Sequence, residues 1–222
     1  MYGGIGYLIR RDLPTALIAV VLFTVVLGLA YPLAITGLSQ LVFPGEANGS
    51  KVSFDGKVVG SKLIGQEFKG RAYFHSRPSA TEYSGDATFF GNAGPNSAEL
   101  RDAIRANLAA YVKLNKPYDR SLTREQVSVD AVTESASGVD PQISEANARI
   151  QAHRIAAVRH LSLAEVEALI SAHTDGRSLG VLGEPGVNVL QLNIALEEVA
   201  DGTKTAYINR FSSRRRRGGS VK

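Results

Sequence analysis

The sequence predicts a single N-terminal transmembrane helix followed by a mixed α/β extracytoplasmic domain. Three observations carry that expectation. No charged side chain lies between Asp12 and Glu46. A hairpin signal, Asp55-Gly56 between alternating apolar residues, opens the remainder. Two capping patterns with a glutamate three positions on then follow, Asn96 with Glu99 and Ser162 with Glu165.

Ala16 to Ala30 is apolar apart from Thr24 and Gly28. A spanning helix needs about 20 such residues to cross a hydrocarbon core of roughly 30 Å, and only a helix satisfies its own backbone there within one segment. The span is placed at 13–42, with 15–37 in hydrocarbon and Thr36 to Phe43 leaving it. Pro32, which lacks a backbone donor, is expected to kink or end the helix. A cleaved signal peptide has an apolar run of about 7–15 residues before a small-residue cleavage site; this run is longer and no Ala-x-Ala pattern follows. Arg10-Arg11 superficially matches a twin-arginine signal, which would also be cleaved. Gly28, Ala30, Ala34 and Gly37 are the small residues that would pack against other membrane helices.

Arg10 and Arg11 precede the span, and the first basic residue after it is Lys51. Basic flanks stay cytoplasmic. Residues 1–12 are therefore expected inside, 46–200 outside as one domain, and 201–222 as a disordered basic tail. The absence of cysteine fits either redox compartment.

The net charge of +4 does not describe a nucleic-acid surface. Arg214–Arg217 and Lys222 lie beyond the last acidic residue, and without them the chain is near neutral. The tail has no interleaved aromatics for base stacking. It is read as solvated, or as a contact with anionic lipid.

The external part is long enough for one ordinary core. Val52–Val59 reads as the hairpin and Ala72–His75 as a short strand. Ser76–Pro95, rich in glycine and without periodicity, reads as a long ordered loop, a feature usually tied to function. Asn96 is expected to cap a helix with Leu100, Ile104, Leu108 and Tyr111 on its buried face, stopped at Lys116-Pro117. Thr123–Val127 forms a further turn. Ser144 opens a second helix to about His160, with Ile150, His153 and Ala157 on one stripe. Ser162 opens a third to about His173, ended by Asp175-Gly176; its Glu165 and Glu167 belong to a solvated face. Gly183-Glu184-Pro185 is a turn, and Val187–Val199 is strand-like, then helical from about Asn188.

Catalytic signatures are missing from the sequence: no phosphate-cradling glycine loop, no nucleophile elbow, no His-Glu-x-x-His. His153 and His160 are seven residues apart, about 10.5 Å along a helix, too far to share one ion. They and His75 and His173 are read as ordinary surface or hydrogen-bonded histidines.

Six polar blocks are more particular than generic loops. They are Gly60–Gln66, Tyr73–Ala80, Gly91–Pro95, Val132–Ser144, Gln151-x-x-Arg154 and Leu179–Leu190. In that order, behind one span, they closely resemble the KdpC subunit family of the bacterial high-affinity potassium-transporting ATPase, from about residue 8 to 196. The chain departs from its pattern at Gln142, where members often carry His, and at Gly186, where they often carry Arg; Asp86–Gly91 is less rich in Ser and Gly than usual, and the tetra-arginine tail lies beyond the common part.

The resemblance implies a non-catalytic subunit in the bacterial inner membrane. Its partners would be a channel-like potassium-binding subunit, a P-type ATPase subunit and a small single-span subunit. It implies either a catalytic chaperone raising the ATP affinity of the pump subunit, with ATP as the possible cofactor, or an external cap at the potassium entrance. The charge flanks put the domain away from cytoplasmic ATP, which favours assembly and capping. The motif residues Gln66, Arg77, Ser79, Asn92, Ser135, Ser137, Asp140, Gln151, Arg154, Glu184 and Asn188 are candidates for partner contact. Turn scaffolding is the competing role, because Arg-Pro and Asp-Pro initiate turns. Glu134, Asp140 and Glu184 would concentrate potassium electrostatically. Two further classes remain: a membrane-tethered solute-binding module, and a hydrolase using Ser79 or Ser135 with His173.

Overall fold

A computed structural model describes residues 5–89 and 91–200; the expected basic tail lies outside the described residues. The chain divides into two compact units, Met1–Lys51 and Val52–Lys222.

In the first unit, α1 (Ile5–Phe23) runs into a wider turn of helix at Thr24–Ala30 and then α2 (Tyr31–Val42). A four-residue helix, α3 (Pro44–Ala47), follows. Arg10–Val42 is a helical stretch of 33 residues with mean hydropathy 2.5, about 50 Å at 1.5 Å per residue. Its large apolar side chains, Leu13 through Val42, are exposed in this chain, as lipid- or helix-facing residues are. Pro32 does not end the helix, one of the two effects expected of it. In the wide turn before it, Tyr31 N–H reaches back five residues to the Val26 carbonyl. That register change ahead of the ring lets the backbone continue past the missing donor. Ala30, Ala34 and Gly37 follow the i, i+4, i+7 row of one face. Gly28, two positions before Ala30, falls off that row.

In the second unit, β1 (Lys51–Phe54) pairs with β2 (Lys57–Ser61). The connecting Asp55 and Gly56 both have positive φ, +48° and +73°. That is the turn geometry an Asp-Gly pair supplies and whose twist matches the strands. Residues 62–97 contain no helix or strand among those described. The helix α4 (Ala98–Asn115) begins one residue later than expected: Ser97, not Asn96, is the cap, its hydroxyl accepting from Leu100 N–H at 3.1 Å. Its inner residues Leu100, Ile104, Leu108 and Tyr111 are half-buried. One-turn helices at Arg124–Gln126, with Thr123 and Gln126 in a capping box, and at Val129–Ala131 follow.

The core lies beneath α5 (Glu145–Arg159), α6 (Leu163–Ala172) and α7 (Val189–Ala200). Ser144 caps α5, and Ser162 with Glu165 forms the capping box of α6. Between them runs an antiparallel sheet of order β3 (Gln142–Ile143), β5 (Gly186–Asn188), β4 (Thr174–Asp175), with Val187 central, opposite Ile143 and Thr174. Phe74, Ile143, Ala148, Ala152, Ile155, Val166, Leu169, Ile170, Val187, Leu192 and Leu196 make one apolar cluster.

The buried stripe of α5 is rotated from the expected one. Ala157 is exposed and Ile150 and His153 are half-buried, whereas Asn147, Gln151 and Arg154 are buried with Ala148, Ala152 and Ile155. Polar side chains face inward because they have hydrogen-bond partners there, which a count of apolar positions does not reveal.

Candidate functional site

Ala72–His75 is not a strand. It leaves a turn in which Tyr73 N–H donates to the Gly70 carbonyl at 3.1 Å and runs on as irregular backbone, its polar groups met by side chains from α5 and α7. Phe74 N–H donates to Asn193 Oδ1 at 2.8 Å, and Asn193 Nδ2 donates to the Phe74 carbonyl at 2.9 Å. His75 N–H donates to Gln151 Oε1 at 2.8 Å, and Gln151 Nε2 to the His75 carbonyl at 3.1 Å. A primary amide offers a donor and an acceptor side by side, as a peptide does, so each replaces one rung of a missing neighbour strand.

Arg154, with no exposed surface, completes the lacing. Its guanidinium donates to the carbonyls of Tyr73 at 2.9 Å and Arg71, to Asn115 Oδ1 at 3.0 Å and to Gln151 Oε1 at 2.9 Å. Burial lowers its pKa to about 10, so it stays charged near neutrality with the charge spread over neutral oxygens. Arg159 Nε adds a bond to the Ala72 carbonyl at 2.6 Å and pairs with Glu197 at 2.6 Å.

The network continues along α5. Gln151 Nε2 and Tyr111 OH both donate to Asn147 Oδ1, at 3.0 and 2.8 Å. Asn147 Nδ2 donates to Asp130 Oδ2 at 3.0 Å. Asp130 also accepts from the amide and hydroxyl of Ser144, at 2.8 and 2.7 Å, placing an anion at the start of α5 where the helix dipole favours one. Burial pushes the Asp130 carboxyl up, but these donated bonds outweigh it and leave it below its ordinary value.

A second cluster zips the 77–83 loop to the 133–140 loop. Arg77 Nη1 meets Asp140 Oδ2 at 3.0 Å, and its Nη2 donates to the Glu134 carbonyl at 3.1 Å and Thr133 Oγ1 at 3.4 Å. Ser79 Oγ donates to the Gly138 carbonyl at 2.6 Å while accepting from Thr81 and Tyr83 N–H. Ser135 N–H donates to the Pro78 carbonyl at 2.8 Å, and its hydroxyl lies 3.2 Å from that of Ser137 and accepts from Asp140 N–H. Tyr83 OH closes onto the Arg77 carbonyl at 2.9 Å, and burial pushes its pKa up to about 12. Gly138 has φ +74°, and a Cβ there would lie 2.7 Å from Thr81 Oγ1 and 2.8 Å from the Phe89 carbonyl; the zip closes only around glycine. Beside it is a cleft of about 460 Å³ lined by Glu67, Lys69, Arg77, Glu82, Tyr83 and the α4 residues Asn107 and Tyr111, among others.

The remaining candidates sit apart from both clusters or at their edges. Gln66 Nε2 donates to the Val59 carbonyl at 2.8 Å, and Asn188 Nδ2 to the Lys62 carbonyl at 2.7 Å, tying the hairpin region to β5. Glu184 accepts from Arg177 on an exposed loop, and Asn92 is exposed. Gln142 and Gly186, which depart from the resembled pattern, are neighbours: a Cβ on Gly186 would lie 2.7 Å from Gln142 Oε1, and Gln142 instead lies across to Asp175 at 2.9 Å. The serine–histidine hydrolase arrangement is not formed, since Ser79 and Ser135 are bonded as above and His173 Nδ1–H donates to the Leu169 carbonyl at 2.9 Å. Among the described residues no group of three or more metal-ligating side chains converges. Sequence reasoning passed over Asn193, Asn115, Asn147 and Asp130. Asn193 had a signal, an amide set between Leu192 and Ile194 in the otherwise mostly apolar run Val189–Leu196.

These features define a class: one helix long and apolar enough to cross a membrane, ahead of a small α/β domain whose buried polar side chains hold its own loops. Residues 13–198 match the family described as K+-transporting ATPase, c chain, KdpC, and the chain belongs to that family. It is 47% identical over 192 residues to the potassium-transporting ATPase KdpC subunit of Mycobacterium tuberculosis H37Rv, covering 86% of this chain and 100% of the relative. It is 48% identical over 183 residues to the subunit of that name from Dechloromonas aromatica, covering 81% and 93%. The corresponding Koribacter versatilis subunit is 43% identical over 197 residues, covering 88% and 96%.

Proposed function

We propose that this chain is a non-catalytic accessory subunit of an ATP-driven potassium importer, needed for assembly and activity, with its α/β domain outside the membrane near the potassium entrance. The observation that carries the reading is the match to the ATPase c-chain family along 13–198. The geometry supports it: the motif side chains hold loops in fixed shape, as a docking module requires, instead of presenting a nucleophile and its base. Such a subunit acts by favouring one state of its partners. The partners proposed are the channel-like, P-type ATPase and small single-span subunits. The Arg10-Arg11 flank supports the outside placement and a capping role over direct contact with cytoplasmic ATP.

Electrostatic enrichment of potassium has a narrower basis than three acids. Asp140 is paired with Arg77 and Glu184 with Arg177, while Glu134 accepts only a backbone N–H, from Gly91 at 3.3 Å, among the described contacts. Glu134 is therefore the proposed contributor, and Arg77 and Asp140 keep the loop that bears it.

Two measurements test the reading. Potassium-stimulated ATP hydrolysis by the other subunits should vanish when this chain is omitted; full activity without it would overturn the function. A single cysteine at exposed Lys57 should react with an impermeant thiol reagent in spheroplasts and one at Tyr2 should not; the reverse pattern would overturn the orientation.

A further inference from the structure

We propose that the tip of the Arg177–Glu184 loop is an apolar anchor seated in a pocket on another protein subunit, an inference that rests on membership of the pump complex. Leu179, Val181 and Leu182 are 90%, 73% and 58% exposed, an apolar cluster of the kind that marks an interaction site when it sits on the surface of a folded domain.

The backbone holds these side chains out. Ser178 and Leu182 exchange bonds, N–H to carbonyl, at 2.8 and 2.9 Å, and Gly180 N–H returns to the Arg177 carbonyl at 3.1 Å. Leu179 has φ +53°, followed by Gly180 at +78° and Gly183 at +80°. Leucine seldom takes the left-handed conformation, and residues held in it cluster at ligand clamps and switch regions. At the base of the loop, Arg177 Nη2 contacts both Glu184 oxygens, at 2.8 and 2.7 Å. The tip is thus ordered before it meets anything, so docking costs little further conformational freedom.

Its chemistry selects the occupant. Segments that rest on lipid pair their apolar residues with interfacial Trp or Tyr and with uncompensated Lys or Arg. From Thr174 to Pro185 there is no aromatic residue, and the single basic residue, Arg177, is neutralised by Glu184. An apolar tip flanked by the Arg177–Glu184 pair, with Asp175 held by Gln142, carries no uncompensated basic charge and matches the charge-depleted core of a protein interface. The family's designation as a c chain presupposes other chains to receive it.

The native chain has no cysteine, so Val181→Cys carrying a benzophenone maleimide reports one position in the intact complex. Irradiation should give a covalent adduct with another pump subunit; an adduct with lipid, or none, overturns the proposal. The double variant Leu179→Ser/Leu182→Ser should retain at least about tenfold less partner on purification, as loss of central anchor residues does, with unchanged circular dichroism. Undiminished retention overturns the proposal, and if the double variant misfolds the cross-link alone decides. Omission of the whole chain separates the two readings: a pump that fails without the chain but tolerates the altered tip removes only the anchor.

Discussion

The side-chain amide of Asn193 pairs with the backbone of Phe74 in both directions, at 2.8 and 2.9 Å, although 119 residues separate them. Phe74 is fully buried, and its ring is part of the apolar cluster. One amide therefore both fixes the segment and seats the aromatic side chain.

Replacing Asn193 by Leu should strand a buried N–H and a buried carbonyl together. Each orphan costs about 1–3 kcal/mol, so the variant should lose roughly 2–4 kcal/mol, a fall in Tm of about 5–15 °C. A melting curve within about 2 °C of the parent would show that these bonds are dispensable.

Arg154→Lys keeps the charge and loses the fork. A lysine ammonium cannot serve the Tyr73 and Arg71 carbonyls, Asn115 and Gln151 from one place. Destabilisation of about 2–3 kcal/mol in a urea titration is expected. An unchanged midpoint would mean that charge alone matters at this site.

For Arg77, the two roles open from the sequence are separable. Arg77→Ala should lower stability by about 1–2 kcal/mol by exposing Asp140 and the Glu134 carbonyl to an unfilled space. A double-mutant cycle with Asp140→Ala should give a coupling near 1 kcal/mol. If Arg77→Ala leaves the melt untouched yet weakens potassium-stimulated hydrolysis, the guanidinium acts on a partner and not on its own loops.

Acid should weaken the domain first through His75 and then through its depressed carboxylates, Asp130 among them with Asp119, Glu165 and Glu197. Burial lowers the His75 pKa, and its Nε2–H donates to the Gly70 carbonyl at 2.9 Å. With the folded value below the unfolded one of about 6.5, the unfolded chain binds the proton first. The contribution is complete above about pH 6.5 and is lost as pH falls through the folded value. Asp130, also depressed, keeps its contribution until pH drops below about 3.9 and then loses it. Tm measured from pH 7.5 to 3 should show both, and His75→Gln should remove the upper one. A flat profile between pH 7 and 5 in the parent would refute the His75 assignment.

In the span, Ala34→Leu should weaken copurification with the other subunits more than Gly28→Leu, because Ala34 shares its row with Ala30 and Gly37. The opposite order would put the helix contact on the Gly28 face.

Elements fixed by neighbours in sequence were legible. The hairpin at Asp55-Gly56, the caps at Ser144 and Ser162 and the strand-to-helix change near Asn188 all rest on local backbone chemistry. The Ser97 cap was misplaced by one residue because Asn96 and Ser97 offer the same acceptor. Ala72–His75 was misread because its hydrogen-bond partners are amide and guanidinium groups on α5 and α7, and a strand pattern carries no mark of what supplies its second edge. The same partners misplaced the α5 stripe, where Gln151 and Arg154 occupy positions that apolar counting assigns to surface. The block Gln151-x-x-Arg154 was picked out by resemblance, while its task of lacing a distant segment emerged only from the folded arrangement.

Lacing by distant side chains also sets an order of events. His75 waits for Gln151, 76 residues later, Ala72 for Arg159, 87 later, and Phe74 for Asn193. At a synthesis rate of about 5–20 residues per second, the Phe74 segment exists for roughly 6–24 s before its last partner has been made. The neighbouring carbonyls lack native mates until Gln151, Arg154 and Arg159 have been made, and Phe74 lacks its own until Asn193 follows, so the nascent chain is most open to proteases and holding chaperones there. Closure of the domain is then timed by the arrival of its C-terminal helix.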